Sequence, residues 1–324
     1  MPIRWKENPP KYTWDNIEVG EQLGPVEGVV SELRLKTHAF AVDDYGDWYF
    51  KDSPFGGRIG HPTLLANDIL LLFMLNYDLT PPMEGGLHAK NEIELLKPVR
   101  LGQKVIIQGT HSDKYKKRAQ SYRILEGDVR DDAGQVYLRM RATETVGFAK
   151  EIPVGQGQGT PPPDAVTGEV PAGAPVVTKA SASVPVDAVL PALSKHTTLE
   201  QSILFSGFPY GWVEGGAKRL DLNIHTDPED GRRRGQPDAI FQGLCSAAFI
   251  SQLCTDFFGP SWLTTGRLAT NFIRPVIVHD DITAQGMVKR IEQVEGGRTR
   301  VYLDVWCKNQ RGELATVGRA SAEV

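Results

Sequence analysis

The stretch Asp221-Leu222-Asn223-Ile224-His225-Thr226-Asp227-Pro228-Glu229 places a carboxylate and an imidazole four residues apart, with an amide between them. Histidine titrates near neutrality, and a carboxylate within reach can share a water with it, so Asp221 and His225 are equipped for general acid–base work. Asn223 suits the role of loop holder, because its side chain hydrogen-bonds readily to nearby backbone. Gly243 opens the apolar run GLCSAAFISQLCTDFF. A glycine at a helix start lets a ligand approach the backbone N–H, and the helix dipole favours negative charge there. Together these groups can move a proton while stabilising charge that builds on a carbonyl oxygen. Glu214 is the alternative acid to Asp221. It lies in the Gly-, Trp- and Tyr-rich segment from Phe208 to Gly216, which is expected to shape a pocket beside the site. The run Arg232-Arg233-Arg234 is a candidate for phosphate contacts.

These residues need a scaffold, and the sequence supplies it twice. Lys97-Pro98-Val99 in the first half matches Arg274-Pro275-Val276 in the second, an offset of 275 − 98 = 177. Gly134 and Gly312 precede similar strands, an offset of 312 − 134 = 178. A nearly constant offset at separated markers predicts a duplicated domain. In each half an apolar segment of helical spacing (HPTLLANDILLLFML, then GLCSAAFISQLCTDFF) is followed by alternating strands. Such a pattern predicts α+β layers, an antiparallel sheet wrapped around one central helix per half. The stretch IPVGQGQGTPPPDAVTGEVPAGAP, from Ile152 to Pro175, is rich in Gly and Pro and reads as a linker. The expected division is residues 1–151, a linker over 152–176, and residues 177–324.

Composition narrows the function classes. Among 324 residues 40% are hydrophobic and 23% charged, with net charge −4, so no basic face for nucleic acid is implied. The three cysteines, Cys245, Cys254 and Cys307, have no metal-site spacing and read as reduced thiols. The segment MPIRWKENPPKYTWD has no apolar core of the signal-peptide kind, and the longest apolar run, Ile69 to Leu75, is too short to span a membrane. The expected location is the cytoplasm. No Gly-rich phosphate loop, serine elbow or metal-ligand cluster is present, and no cofactor is expected.

On these residues the chain resembles the MaoC-like, or hydratase 2, family over nearly its whole length outside the linker. The segment from Asp221 to Glu229 resembles the family's Asp-x-Asn-Pro-aliphatic-His loop, without the proline. Gln242-Gly243 resembles the His-Gly pair that opens the central helix, with Gln in place of His, and Ser251 follows Gly243 by 251 − 243 = 8 residues, as in the family. The resemblance implies a double hot-dog fold with two long central helices inside one continuous antiparallel sheet. It implies an enzyme that adds water to an enoyl thioester or removes it from a 3-hydroxyacyl thioester. The substrate would be an acyl-CoA or an acyl carrier protein thioester, and a homodimer of double hot-dogs is an assembly it allows. Asp221, His225 and Gly243 would be catalytic, with Asn223, Ser251 and Gln242 around the substrate.

The first half resembles the family less well. Gly46-Asp47 stands where the loop opens and His61-Pro62 where the helix starts, but no Asn or His follows Asp47 at the family spacing. Pro62 has no N–H to offer a carbonyl oxygen. The first half is therefore expected to bind or to pack, through Asp47 and His61, rather than to react. Two readings compete with a hydratase: a hot-dog thioesterase using a helix carboxylate such as Asp68 or Asp256, and a non-catalytic acyl-thioester-binding double hot-dog.

Overall fold

The alternating strands of the two halves join into one sheet. The computed structural model describes residues 2–79, 86–117, 120–147, 164–217 and 223–324. Its strands are β1 (Gln22–Val29), β2 (His88–Leu95), β3 (Lys104–Lys117), β4 (Gln120–Arg130), β5 (Val136–Thr145), β6 (Leu193–His196), β7 (Ile240–Phe241), β8 (Arg267–Phe272), β9 (Val276–Ile277), β10 (Asp281–Gln293), β11 (Thr299–Asn309) and β12 (Leu314–Glu323). Its helices are α1 (Glu32–Ala41), α2 (Asp47–Phe50), α3 (Ala66–Leu70), α4 (Leu199–Ser206), α5 (Pro228–Arg233), α6 (Gly243–Phe258) and α7 (Trp262–Thr265). Ten strands run in the order β1-β3-β4-β5-β2-β8-β12-β11-β10-β6, and β7 pairs with β9 apart from them. Every pairing between these strands is antiparallel.

The halves meet where β2 pairs with β8. Glu92 faces Ala269 at the middle of that pairing, and 269 − 92 = 177 is the repeat offset read from the sequence. A pseudo-two-fold axis therefore passes through the Glu92–Ala269 pair. On its inner face one side carries Asn91 opposite Thr270, and the other carries Ile93 opposite Leu268. Pairing the two edges also covers backbone that would otherwise invite aggregation.

The central helices differ in length. α6 has sixteen residues, about 24 Å at the usual rise of roughly 1.5 Å per residue. Nearly all of it is buried, including Leu244, Phe249, Ile250, Leu253 and Phe257, so it forms the spine of the second half. It ends at Gly259, whose φ of 61° an L side chain rarely adopts. The first-half counterpart is shorter than the sequence predicts: five α-helical residues, Ala66–Leu70, continue as a 3-10 turn over Leu71–Leu75. The tighter winding brings Leu72, Phe73 and Leu75 into the core within one short segment. Of the expected linker, residues 152–163 lie outside the described residues. From Asp164 onward the chain follows the second-half sheet, held where Arg319 meets Asp164 at 2.6 Å and Lys308 Nζ donates to the Gly168 carbonyl at 2.8 Å.

Beneath the seam lies a buried ion pair. Arg123 on β4 contacts Glu144 on β5 and stacks on the Phe73 ring, 4.4 Å from its centre. Glu144 pairs in register with His88 of β2. Burial pushes the Glu144 carboxyl upward and Arg123 pulls it back. Removing one member of such a pair leaves an uncompensated charge, so Glu144→Gln should destabilise the protein by ~3–5 kcal/mol in urea unfolding. The double change Arg123→Met/Glu144→Leu should cost clearly less; an equal or larger loss for the double variant would show that the charges do not matter here.

Candidate active site

The loop carrying His225 is fixed from three directions. The Asn223 side-chain oxygen accepts the His225 backbone N–H at 2.8 Å, and the Asn223 carbonyl accepts the N–H groups of Thr226 and Asp227, each at 2.9 Å. Ser202 on α4 donates its hydroxyl to the His225 carbonyl at 2.6 Å. Ile240 N donates to the Ile224 carbonyl at 2.9 Å, which ties the loop to β7, three residues before Gly243. Asp227 then caps α5 by accepting the Glu229 N–H at 2.9 Å.

This clamp sets the chemistry of the ring. His225 Nδ1 lies 2.8 Å from the Ile240 carbonyl oxygen. A carbonyl can only accept, so Nδ1 carries the proton and Nε2 presents a lone pair. Burial holds the pKa of His225 below the ordinary value, against the pull of that same carbonyl. The ring is therefore a neutral base at pH 7, with its tautomer already chosen. Gly243 is the first residue of α6, and its N–H has no acceptor among the described residues. A Cβ on Gly243 would sit 2.9 Å from the Phe272 ring, so packing as well as ligand approach requires glycine here.

The remaining predicted residues divide. Asp221 lies outside the described residues. Glu214 is exposed, and its carbonyl accepts the Ile3 N–H at 2.7 Å. Gln242 works as a tie: it donates to Asn67 at 2.9 Å and accepts from Ser206 at 2.7 Å, joining the start of α6 to α3 and α4. Ser251 accepts the Trp262 indole N–H at 2.9 Å deep in the helix packing. Asp47 is exposed and pairs with Lys51 at 3.0 Å. The aromatic segment after Gly207 docks on the first half: Trp212 donates to the Asp68 carboxylate at 2.7 Å and Tyr210 to the Asp68 carbonyl at 2.8 Å. Arg34 holds the other Asp68 oxygen. Asp68 is thus committed to structure, which removes it as a thioesterase carboxylate. Arg233 and Arg234 pair with Asp230, at 3.1 and 2.9 Å, and Arg232 lies 3.7 Å from Asp238.

The corresponding place in the first half is remodelled. Ile59 N donates to the Trp48 carbonyl just as Ile240 N donates to that of Ile224. Tyr49 therefore stands where His225 stands, His61 where Gln242 stands, and Pro62 where Gly243 stands. Tyr49 is a buried phenol held well above its ordinary pKa, by burial first and then by Asp44. His61 Nδ1 accepts the Thr63 N–H at 3.1 Å, so its Nε2–H faces Asp44, 3.4 Å away. Burial takes His61 down to about 3 and Asp44 up to about 6, so at pH 7 a neutral imidazole faces a carboxylate and no ion pair forms. The neighbouring void, lined by Leu64, Leu95, Leu138 and Leu263, is about 20 Å³, room for roughly one water. A groove of about 940 Å³ with Glu92, Arg139, Arg141 and Arg319 in its wall opens on the outer face of the sheet, away from His225.

Sequence reasoning passed over His88, Asn91 and Thr270. His88 lies near enough to His225 for their charges to interact, and its ring packs on Phe272 at 4.8 Å. An asparagine in the inward register of Asn91, Ile93 and Leu95 was the available signal.

No protein-family model matches the chain, and no curated protein matches it. Solved structures do. A MaoC-like dehydratase is 18% identical with a TM-score of 0.68, covering 94% of this chain and 98% of its own. The full-length peroxisomal multifunctional enzyme type 2 of Drosophila melanogaster is 17% identical with a TM-score of 0.62, over 94% of this chain and 49% of its own. A Mycobacterium tuberculosis protein described as a double hotdog fold is 13% identical with a TM-score of 0.62, over 97% and 99%. The chain thus has the double hot-dog fold.

His61 gives a pH test. Its folded pKa of about 3 lies below the ordinary 6.5, so an unfolded chain binds a proton that the folded one refuses. Its contribution is intact above pH 6.5 and is lost as pH falls from 6.5 toward 3, by at most ~1.4 kcal/mol per pH unit. Asp44, raised to about 6 from 3.8, acts in the opposite sense between those values. His61→Gln, which copies Gln242, should make the fall in urea midpoint between pH 6.5 and 4 shallower. An unchanged slope would place the titration elsewhere.

Proposed function

We propose that this protein is a hydratase or dehydratase that interconverts an enoyl thioester and a 3-hydroxyacyl thioester, with one working site built on the second half. The carrying observation is the His225 ring: its Nδ1 proton is held by the Ile240 carbonyl, so a neutral Nε2 base stands on the segment that leads to the Gly243 N–H, which has no acceptor among the described residues. The fold shared with proteins named as MaoC-like dehydratases supports the reading.

In the hydration direction His225 Nε2 takes a proton from water as the water oxygen bonds to C3. The C2–C3 π electrons move toward the thioester, and negative charge appears on its oxygen. The Gly243 N–H, at the positive end of a sixteen-residue helix, stabilises that charge. The imidazolium then returns its proton to C2, and the base is restored. Asp221 is assigned as the acidic partner that shares the water with His225, and coenzyme A as the carrier of the acyl group.

Loss of the enoyl absorbance of crotonyl-CoA without release of free thiol tests the reading; thiol release would overturn it in favour of a thioesterase. His225→Ala should lower kcat by ~10²–10⁴-fold, the range for losing a general base, while Asp47→Asn should leave it unchanged. Because burial depresses the His225 pKa below 6.5, the fall in rate on acidification should be centred below pH 6.5. A fall centred above pH 6.5 would assign the base to another group.

A further inference from the structure

Three side chains at the seam carry buried polar atoms that form no hydrogen bond of normal geometry among the described residues: both ring nitrogens of His88, both amide atoms of Asn91, and the hydroxyl of Thr270; His88 comes near enough to the Asn91 side chain and the Lys90 backbone for weak polar contact only. Asn91 is 0% and Thr270 2% exposed. They lie together. Asn91 faces Thr270 across β2 and β8. The irregularity between His88 and Lys90 turns His88 to the same inner face, within reach of the Asn91 amide. The His88 ring packs on Phe272, whose ring in turn covers Gly243. His225 is close enough that its charge would disfavour a charge on His88.

Buried polar groups are nearly always satisfied, and several unsatisfied ones in one place call for a ligand. The groups here are uncharged and include both donors and acceptors. Burial takes His88 down to about 3, so it is neutral at pH 7 and can hydrogen-bond without titrating. Such a set fits a small neutral group that both gives and takes hydrogen bonds, which is a water or a hydroxyl. Across the pseudo-two-fold axis Leu268 and Ile93 take the places of Asn91 and Thr270, beside the closed first-half site. The polar set thus accompanies His225 and is missing where Tyr49 stands.

We infer that His88, Asn91 and Thr270 form the niche for the reacting oxygen, so that the first half contributes part of the active site. This rests on the hydratase reading. In hydration the niche orients the water while its proton passes to His225 Nε2; in dehydration His225 Nε2 takes a proton from C2 and passes it to the C3 hydroxyl, which the niche holds as its oxygen leaves as water.

Binding of butyryl-CoA and of 3-hydroxybutyryl-CoA, by calorimetry, separates niche from thioester. The two ligands differ only in that hydroxyl. The wild type should prefer the hydroxyl compound by about tenfold or more, as sites built to hydrogen-bond a hydroxyl do. His88→Ala, Asn91→Leu and Thr270→Val should bring the ratio toward one and leave butyryl-CoA binding within about threefold. Asn91→Leu copies the leucine already present at the mirror position, 91 + 177 = 268, so the fold tolerates it there. With crotonyl-CoA, His88→Ala should lower kcat by ~10²-fold with little change in KM, the loss typical of one preorganised hydrogen-bonding group, and His88→Gln should recover part of it. An unchanged ratio in His88→Ala and Asn91→Leu overturns the assignment, as does an equal loss of both ligands, which would mark a packing role. If both thioesters bind the wild type equally well, the niche fails alone; if neither binds, the thioester reading fails with it.

Discussion

Five residue pairs join β2 to β8, from Lys90–Asn271 to Glu94–Arg267. Each partner alone would be an exposed edge, with a row of backbone groups open to solvent or to another chain. Pairing them closes both edges and also places the inner side chains of one half beside the helix start of the other. Asn91 reaches Thr270, His88 reaches Phe272, and Phe272 lies on Gly243. A second tie crosses the same boundary, where Gln242 binds Asn67 and Ser206, so the start of α6 is held by the first half as well as by its own. No group around His225 would keep its geometry if these contacts shifted, because the register of a sheet moves every side chain together.

The same constraint explains the polar first-half interior. Arg123 on β4, Glu144 on β5 and His111 on β3 lie in the first half with Glu21, which precedes β1, and each pairs with another: His111 Nδ1 lies 3.3 Å from Glu21 and Arg123 contacts Glu144. Burial lowers His111 to about 3, so it stays neutral beside the Arg123 charge. Of the buried side-chain nitrogens and oxygens of these four residues only Arg123 Nε lacks a hydrogen-bond partner among the described residues, in contrast to the niche beside it, where five atoms do. The contrast distinguishes buried polarity that serves folding from buried polarity left for a ligand.

The duplicated architecture was legible in the sequence because strand alternation and the offset of 177 are local patterns that survive without contacts. The loop residues Asn223 and His225 and the helix start at Gly243 were legible for the same reason: their spacing along the chain carries the signal. His88 and Asn91 were not. They belong to a strand whose alternation looks ordinary, and their partners, Phe272 and Thr270, are about 180 residues away in the chain. The ties of Gln242 to Asn67 and of Ser251 to Trp262 were not legible for a related reason, since they depend on which helix lies alongside. The first-half helix came out shorter than its apolar run suggests, because an unbroken string of leucines does not tell α from 3-10 winding.

Two identical chains that meet across a true dyad must carry the same residue at equivalent places. Asn91 and Leu268 are equivalent here, and so are Tyr49 and His225, yet they differ. A homodimer could not hold that combination: any residue that polarised one cleft would polarise the other, and any side chain that filled one would fill both. Placing both copies in a single polypeptide removes that coupling. One cleft is free to become solid core and lend rigidity, while the other accumulates the unpaired polar atoms that a folded interior would otherwise exclude. The stability cost of a reactive cavity is then carried once per molecule instead of twice.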